Sequence, residues 1–140
     1  MKTERTVLIS QLRSVMRDEE IASAAIEAAF RVHRALGPGL LESAYAHCMH
    51  HELIEMQVDT LIQHPLPLVY KDVKLDAGYR LDLWLGRRVI VELKVVEEIR
   101  PIHRAQLMTY LKLTGNRLGL LINFNVKYLK DGIERWVNGY

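Results

Sequence analysis

Leu81-Asp82-Leu83-Trp84-Leu85, then Gly86-Arg87-Arg88, then Val89-Ile90-Val91-Glu92-Leu93-Lys94-Val95: this stretch decides the fold. Side chains of a strand alternate between its two faces. Leu81, Leu83 and Leu85 therefore share one face of the first run, and Val89, Val91, Leu93 and Val95 share one face of the second. If the two apolar faces lie together, Asp82, Glu92 and Lys94 fall on the same side, because a slip of one residue would turn every side chain over. Asp82 then stands roughly opposite Glu92, and directly opposed residues hold their Cβ atoms about 4.5–5.5 Å apart. The connection must cooperate. A two-residue turn at Gly86-Arg87 gives the wrong parity, so a three-residue loop, Gly86-Arg87-Arg88, or a β-bulge is expected.

Two carboxylates that close repel each other unless something positive lies between them. A hard divalent cation, Mg²⁺ or Mn²⁺, prefers such an all-oxygen surrounding. Lys94, two residues after Glu92, points the same way and can orient an attacking water and offset charge developing on a phosphate. That division of labour suits hydrolysis of a phosphodiester. The competing interpretation is an exposed ion pair between Lys94 and either acid, a common arrangement worth little. Ile90, Val91, Leu93, Val95 and Val96 argue against it, since they mark a buried strand, where charge is expensive unless paired or bound to metal.

Outward from this pair, residues 118–124 form a continuous apolar run, expected as a central strand buried on both faces. Between them Pro101 opens a helix over about residues 102–113, closed by Gly115. Upstream, Ile21, Ala25, Ala28, Ala29 and Val32 recur at helical spacing, with Asp18 as N-cap and Gly37-Pro38-Gly39 as the stop. A second helix is expected over residues 40–56. Residues 58–70 read as an extended segment, marked as edge or irregular by Pro65 and Pro67. Residues 128–137 suggest a turn and a short edge strand. The order helix, helix, three strands, helix, strand predicts an α/β (α+β) architecture, a mixed central sheet flanked by helices.

The chain has 140 residues, 49% of them hydrophobic, which fits one domain with a real core, assigned to residues 18–140, preceded by an arm over residues 1–17. The net charge of +2 permits a phosphate-backbone partner without demanding one. Cys48 is the lone cysteine, so an internal disulfide is excluded and a reducing compartment, the cytoplasm, is expected. The first 17 residues lack the apolar run of a signal peptide, and no stretch nears the roughly 18 apolar residues of a membrane span. Oligomeric state is not readable from the sequence.

Asp82, nine intervening residues, then Glu92-x-Lys94 resembles the signature of the PD-(D/E)XK nuclease superfamily, and the element order resembles its restriction-endonuclease-like core. Gly39-Leu40-Leu41-Glu42-Ser43-Ala44-Tyr45 fits the G-x-x-E-x-x-Y motif of the GxxExxY protein family, whose members look like small stand-alone nucleases of this kind. Gln106-Leu107-Met108-Thr109-Tyr110 is similar to the Q-x-x-x-Y motif of RecB-type nucleases. Residues four apart share a helix face, so Gln106 and Tyr110 can point toward one cleft. The resemblance implies a metal held by Asp82, Glu92, the backbone carbonyl of Leu93 and Glu42, with Lys94 assisting the water and Gln106 and Tyr110 shaping the cleft. Departures from the pattern are Leu81 in place of proline and Glu42 where RecB-type enzymes carry a histidine.

Several residues admit two readings. Glu42 falls in the first turn of its helix, where N-terminal charge complementarity explains it as well as catalysis does. Tyr45 lies one turn on, and its hydroxyl is expected to partner Glu42. His103 precedes Gln106 by one turn and is a candidate substrate contact. His47, His50 and His51 lack the carboxylate pattern of a zinc motif. Trp84 shares Asp82's parity and is expected to pack against a helix. Arg80, Arg87, Arg88, Arg100, Arg104, Lys112 and Arg117 could track a phosphate backbone, although such a cluster is usually a solvated face. The expected function is a nuclease acting on nucleic acid, with DNA favoured. The alternative is a non-catalytic nucleic-acid-binding or protein-interaction module on the same fold.

Overall fold

The computed structural model describes residues 16–139. Five strands form one mixed sheet: β1 (Thr60–Pro65), β4 (Arg80–Leu85), β5 (Val89–Lys94), β6 (Leu118–Asn123) and β7 (Ile133–Val137), adjacent in that order. All neighbours are antiparallel except β5 and β6. A parallel pair needs a long crossover, and α3 (Pro101–Thr114) supplies it. β2 (Leu68–Tyr70) and β3 (Val73–Leu75) make a separate two-stranded hairpin. Helices α1 (Asp18–Leu36) and α2 (Glu42–Glu55) pack with Leu83, Leu85, Val89, Val91, Leu93, Leu118, Leu120 and Ile122. On the other face α3 contributes Leu107, Tyr110 and Leu111 to a smaller core with Ile90 and Leu121. β6 is buried along its whole length, the polar Asn123 at its end included, as its otherwise apolar sequence requires.

The sheet is flanked by helices as expected, and the β4–β5 connection is the three-residue loop that parity demanded. Leu85 pairs with Val89, leaving Gly86, Arg87 and Arg88 between them, with Gly86 and Arg87 both at positive φ. Several boundaries differ. Arg17, not Asp18, caps α1, because the Glu20 carboxylate accepts the Arg17 N–H and Asp18 instead pairs with Arg88. α2 starts at Glu42, since Leu41 is extended and the Leu40 N–H is held in the preceding loop by the Tyr45 hydroxyl. The segment expected as one irregular strand over residues 58–70 divides at Leu66-Pro67 into β1 and β2, which belong to different sheets. The hairpin turn between β2 and β3 uses Lys71 and Asp72, both at positive φ, in place of the Asn-Gly pair that announces such turns. Of the expected arm, residues 1–15 lie outside the described residues. Met16 packs on the main core, and its carbonyl accepts an Arg88 N–H. No described helix is long and apolar enough to cross a membrane.

The 3₁₀ turn Leu129–Gly132 folds back on the end of β6. A Cβ at Gly132 would lie 2.2 Å from the Asn123 carbonyl oxygen, a backbone atom with nowhere to retreat. A Cβ at Gly119 would lie 2.8 Å from Leu107 Cδ1 and 3.2 Å from its Cγ, atoms of a buried side chain that can give more readily than a carbonyl. Gly132→Ala is therefore expected to cost about 2–3 kcal/mol and Gly119→Ala about 1 kcal/mol. Urea denaturation of the two variants checks the order, and equal losses would refute it.

Candidate active site

The β4–β5 ladder runs from Leu85↔Val89 to Leu83↔Val91 and then opens. On the other side of β4 the register passes from Ile62↔Leu83 to His64↔Leu81 without pairing Gln63 with Asp82, and Gln63 takes φ +48°. The chain turns at this point. Leu81, expected to share a face with Leu83 and Leu85, packs instead with Ile90, Leu107 and Tyr110 on the α3 side. This corrects the simple alternation: a strand that loses its ladder partners at Asp82 is free to rotate there.

Side chains fill the opening. The Asp82 N–H donates to Glu92 Oε2 at 2.8 Å, and the Leu93 N–H donates to Asp82 Oδ2 at 2.8 Å. The two acids thus stand in for the ladder, each taking the main-chain hydrogen of the facing segment. Among the described residues no donor reaches the second oxygen of either carboxylate. Glu92 is 3% exposed. Burial pushes its carboxyl well above the usual range, and the nearby charge of Asp82 pushes it further, against the opposing pull of the Asp82 N–H and Lys94. Asp82 is likewise pushed up by burial and held down by the Leu93 N–H and Lys94. Glu42, half-buried at the first residue of α2, is raised by burial and then by Asp82. Asp82, Glu92, Glu42 and Lys94 therefore feel one another directly.

Lys94 makes no ion pair with either acid. Its Nζ donates to Gln106 Oε1 at 3.1 Å, and Gln106 Nε2 donates to the Tyr110 hydroxyl at 3.1 Å. Burial, then Glu92, raises the Tyr110 hydroxyl and keeps it protonated. Lys94, His103, Gln106 and Tyr110 line a cleft of about 620 Å³. His103 Nδ1 accepts the Arg100 N–H at 3.0 Å, closing the first turn of α3. Burial and the charge of Lys94 lower the His103 pKa and favour the neutral ring.

Tyr45 is placed differently from expectation. Its hydroxyl donates to the Gly37 carbonyl and accepts the Leu40 N–H, and its ring stacks on Phe124 at 4.2 Å between centroids. It holds the Gly37-Pro38-Gly39 loop that delivers Glu42 and is not a hydrogen-bond partner of Glu42. Trp84 packs against the α3-side core, with its Nε1–H on Asn116. The arginine cluster is largely spent on acids: Arg88 on Asp18, Arg100 on Glu98, Arg104 on Glu134 and Arg117 on Glu19.

Three contributors were not singled out in the sequence. Asn123 joins β6 to the segment after β5 by accepting the Val96 N–H and donating to the Val96 carbonyl. A buried polar residue inside an apolar run was its visible signal. Tyr79 and Leu68 form the far wall of the cleft, and Leu68 belongs to the hairpin that the sequence did not disclose.

The donor set fits a hard cation. The second oxygen of each carboxylate has no hydrogen-bond donor among the described residues. The Leu93 carbonyl points to the same edge as its N–H, toward β4, because both groups of a strand residue address one neighbour. Mg²⁺ characteristically takes one or two carboxylates and completes its shell with water and phosphate oxygens. Among the described residues no three His, Cys, Asp or Glu side chains close a metal cluster by themselves.

Residues 19–136 match the family model of the PD-(D/E)XK nuclease superfamily. Neither the curated proteins nor the solved structures yield a match.

The raised Glu92 carboxyl has a consequence for stability. A carboxyl that binds its proton more tightly in the folded chain contributes stability that is fully present below its unfolded pKa and is lost as pH rises through the folded one. Glu92→Gln keeps an oxygen for the Asp82 N–H and removes the charge. In EDTA at about pH 8 it is expected to melt several degrees above the wild type, with the difference shrinking as pH falls toward about 5. Thermal melts across pH check this, and a variant that melts lower at pH 8 would contradict it.

Proposed function

Since the chain belongs to the PD-(D/E)XK nuclease superfamily, we propose that it is a divalent-metal-dependent nuclease that hydrolyses phosphodiester bonds of nucleic acid, with DNA as the preferred substrate. One observation carries this reading. Asp82 and Glu92 each satisfy a main-chain N–H with one oxygen and leave the other free beside Lys94, at the open end of β4 and β5. Buried carboxylates left in mutual repulsion are costly for a fold to keep, unless a cation relieves them.

Asp82, Glu92 and the Leu93 carbonyl would hold the ion, with Glu42 reaching it through water. When bound, Mg²⁺ or Mn²⁺ supplies Lewis acidity toward the phosphate and lowers the pKa of water. The protein's own groups do the rest. Lys94 is held by Gln106, and its ammonium would offset the charge that develops on the phosphate. Gln106 is held in turn by its hydrogen bond to the Tyr110 hydroxyl. The G-x-x-E-x-x-Y motif has a matching rationale: Gly39 at φ +107° and the Tyr45 hydroxyl shape the turn from which Glu42 projects.

Cleavage of labelled single- and double-stranded DNA and RNA with Mg²⁺ or Mn²⁺ tests the proposal. Lys94→Ala and Asp82→Asn are each expected to lower the rate by about 10²-fold or more. Mn²⁺ is expected to raise the melting temperature of the wild type and not of Asp82→Asn. Binding without cutting under every metal would identify a non-catalytic nucleic-acid-binding module, and the absence of both would leave a protein-interaction domain.

A further inference from the structure

The cleft beside Lys94 has a composition that phosphate chemistry does not explain. Its walls are Leu68 and Tyr79 from the base of the β2–β3 hairpin and Ile102 and Leu113 from α3. No carboxylate lines it, although the acids lie just beyond Lys94. Ile102 is 70% exposed and Tyr79 43% exposed, so this apolar surface faces solvent. The Tyr79 ring stands edge-on to Tyr110, with centroids 6.3 Å apart, which fixes it as a wall rather than a loose side chain. The Leu66 N–H donates to the Tyr79 carbonyl at 2.8 Å, pinning the two ends of the hairpin segment together.

A duplex cannot fill such a cleft. Its outer surface is charged phosphate, and its base faces are hidden in the stack. A base that has left the stack offers a flat apolar face with polar edges. The cleft offers the complement: an aromatic wall, aliphatic walls, and polar groups from His103 and Gln106. With His103 Nδ1 occupied by the Arg100 N–H, the neutral ring carries its proton on Nε2 as a donor. The hairpin above carries Lys71 and Lys74 against Asp72 and Asp76 and so adds no net charge, leaving the apolar and aromatic walls to do the recognising.

We propose that the cleft between α3 and the β2–β3 hairpin is a nucleobase subsite that accepts one unpaired base next to the phosphate facing Lys94, making the protein selective for single-stranded nucleic acid over continuous duplex. The identity of the ligand rests on the nuclease reading, while the cleft is testable without turnover.

The test is fluorescence anisotropy in EDTA, where no cleavage intervenes, with one labelled DNA oligonucleotide used alone and as a blunt duplex. The single strand is expected to bind at least about tenfold more tightly. Tyr79→Ala and Ile102→Asn are each expected to weaken single-strand binding by about five- to a hundredfold, the worth of one stacked base, and to leave duplex binding unchanged. Both residues are exposed, and melting curves establish that the variants fold. Equal affinity for the two forms, or wild-type single-strand binding by both variants, overturns the proposal. Selective binding by a wild type that cuts nothing with Mn²⁺ upholds the subsite and removes the nuclease reading. Equal cutting of single strand and duplex, undiminished in both variants, does the reverse.

Discussion

Two hydrogen bonds at the end of a β-ladder organise this protein. Where β4 and β5 part company beyond Leu83↔Val91, the Asp82 and Glu92 carboxylates each take up a main-chain N–H from the facing segment. An unpaired buried N–H costs about 1–3 kcal/mol, and a hydrogen bond to a charged acceptor is worth about 1.5–3 kcal/mol. Each bond therefore both repairs the interrupted ladder and fixes an acid. The cost of burying two like charges is not recovered by these bonds, because they satisfy only one oxygen of each group. The raised carboxyls of Glu92 and Asp82 express that residual strain. The sheet holds the acids in position in advance of any ligand.

The remaining elements act on this opening from three sides. The parallel β5–β6 pair places α3 beside Lys94, which is why a side chain of α3 can anchor a lysine of β5. Asn123 ties the segment that leaves β5 to the end of β6, fixing where the chain turns toward α3. The stacked Tyr45–Phe124 pair joins α2 to the end of β6, and the Tyr45 hydroxyl sets the loop ahead of Glu42. A residue whose hydroxyl was expected to partner Glu42 thus serves by holding backbone. Its full burial, with the hydroxyl committed to the loop, leaves it no route to the cleft.

Most of the sheet was legible because period-two patterning and the length of the Gly86-Arg87-Arg88 loop constrain register strongly. The β6 run and the α3 boundaries followed from apolar length and from Pro101 and Gly115. The proximity of Asp82 to Glu92 was legible for the same reason. The way they meet was not: it depends on Gln63 adopting a left-handed conformation across from Asp82, and glutamine carries no signal for that. The hairpin was hidden because Lys71-Asp72 is a weak turn pair. With it went half of the cleft wall. The basic cluster was only supporting evidence, since sequence counts charges and cannot tell which of them Asp18, Glu19 and Glu134 will pair with.

Lys94 lies where these two levels meet. It ends β5, so its backbone belongs to the rigid sheet, and its side chain crosses to α3 and borders the cleft. A lysine this near two acids would ordinarily form an ion pair. Here the amide oxygen of Gln106 receives one of its hydrogens, leaving the ammonium charge uncommitted. Geometry explains the choice. Asp82 and Glu92 each have one oxygen bound to main chain, and their free oxygens are held by the sheet, not by flexible stems that could follow the lysine. A cation and a lysine can then share the opening without either neutralising the ligands of the other. That separation is what hydrolysis of an anionic ester asks of a site: negative oxygens for an ion, and a distinct positive group for the phosphate.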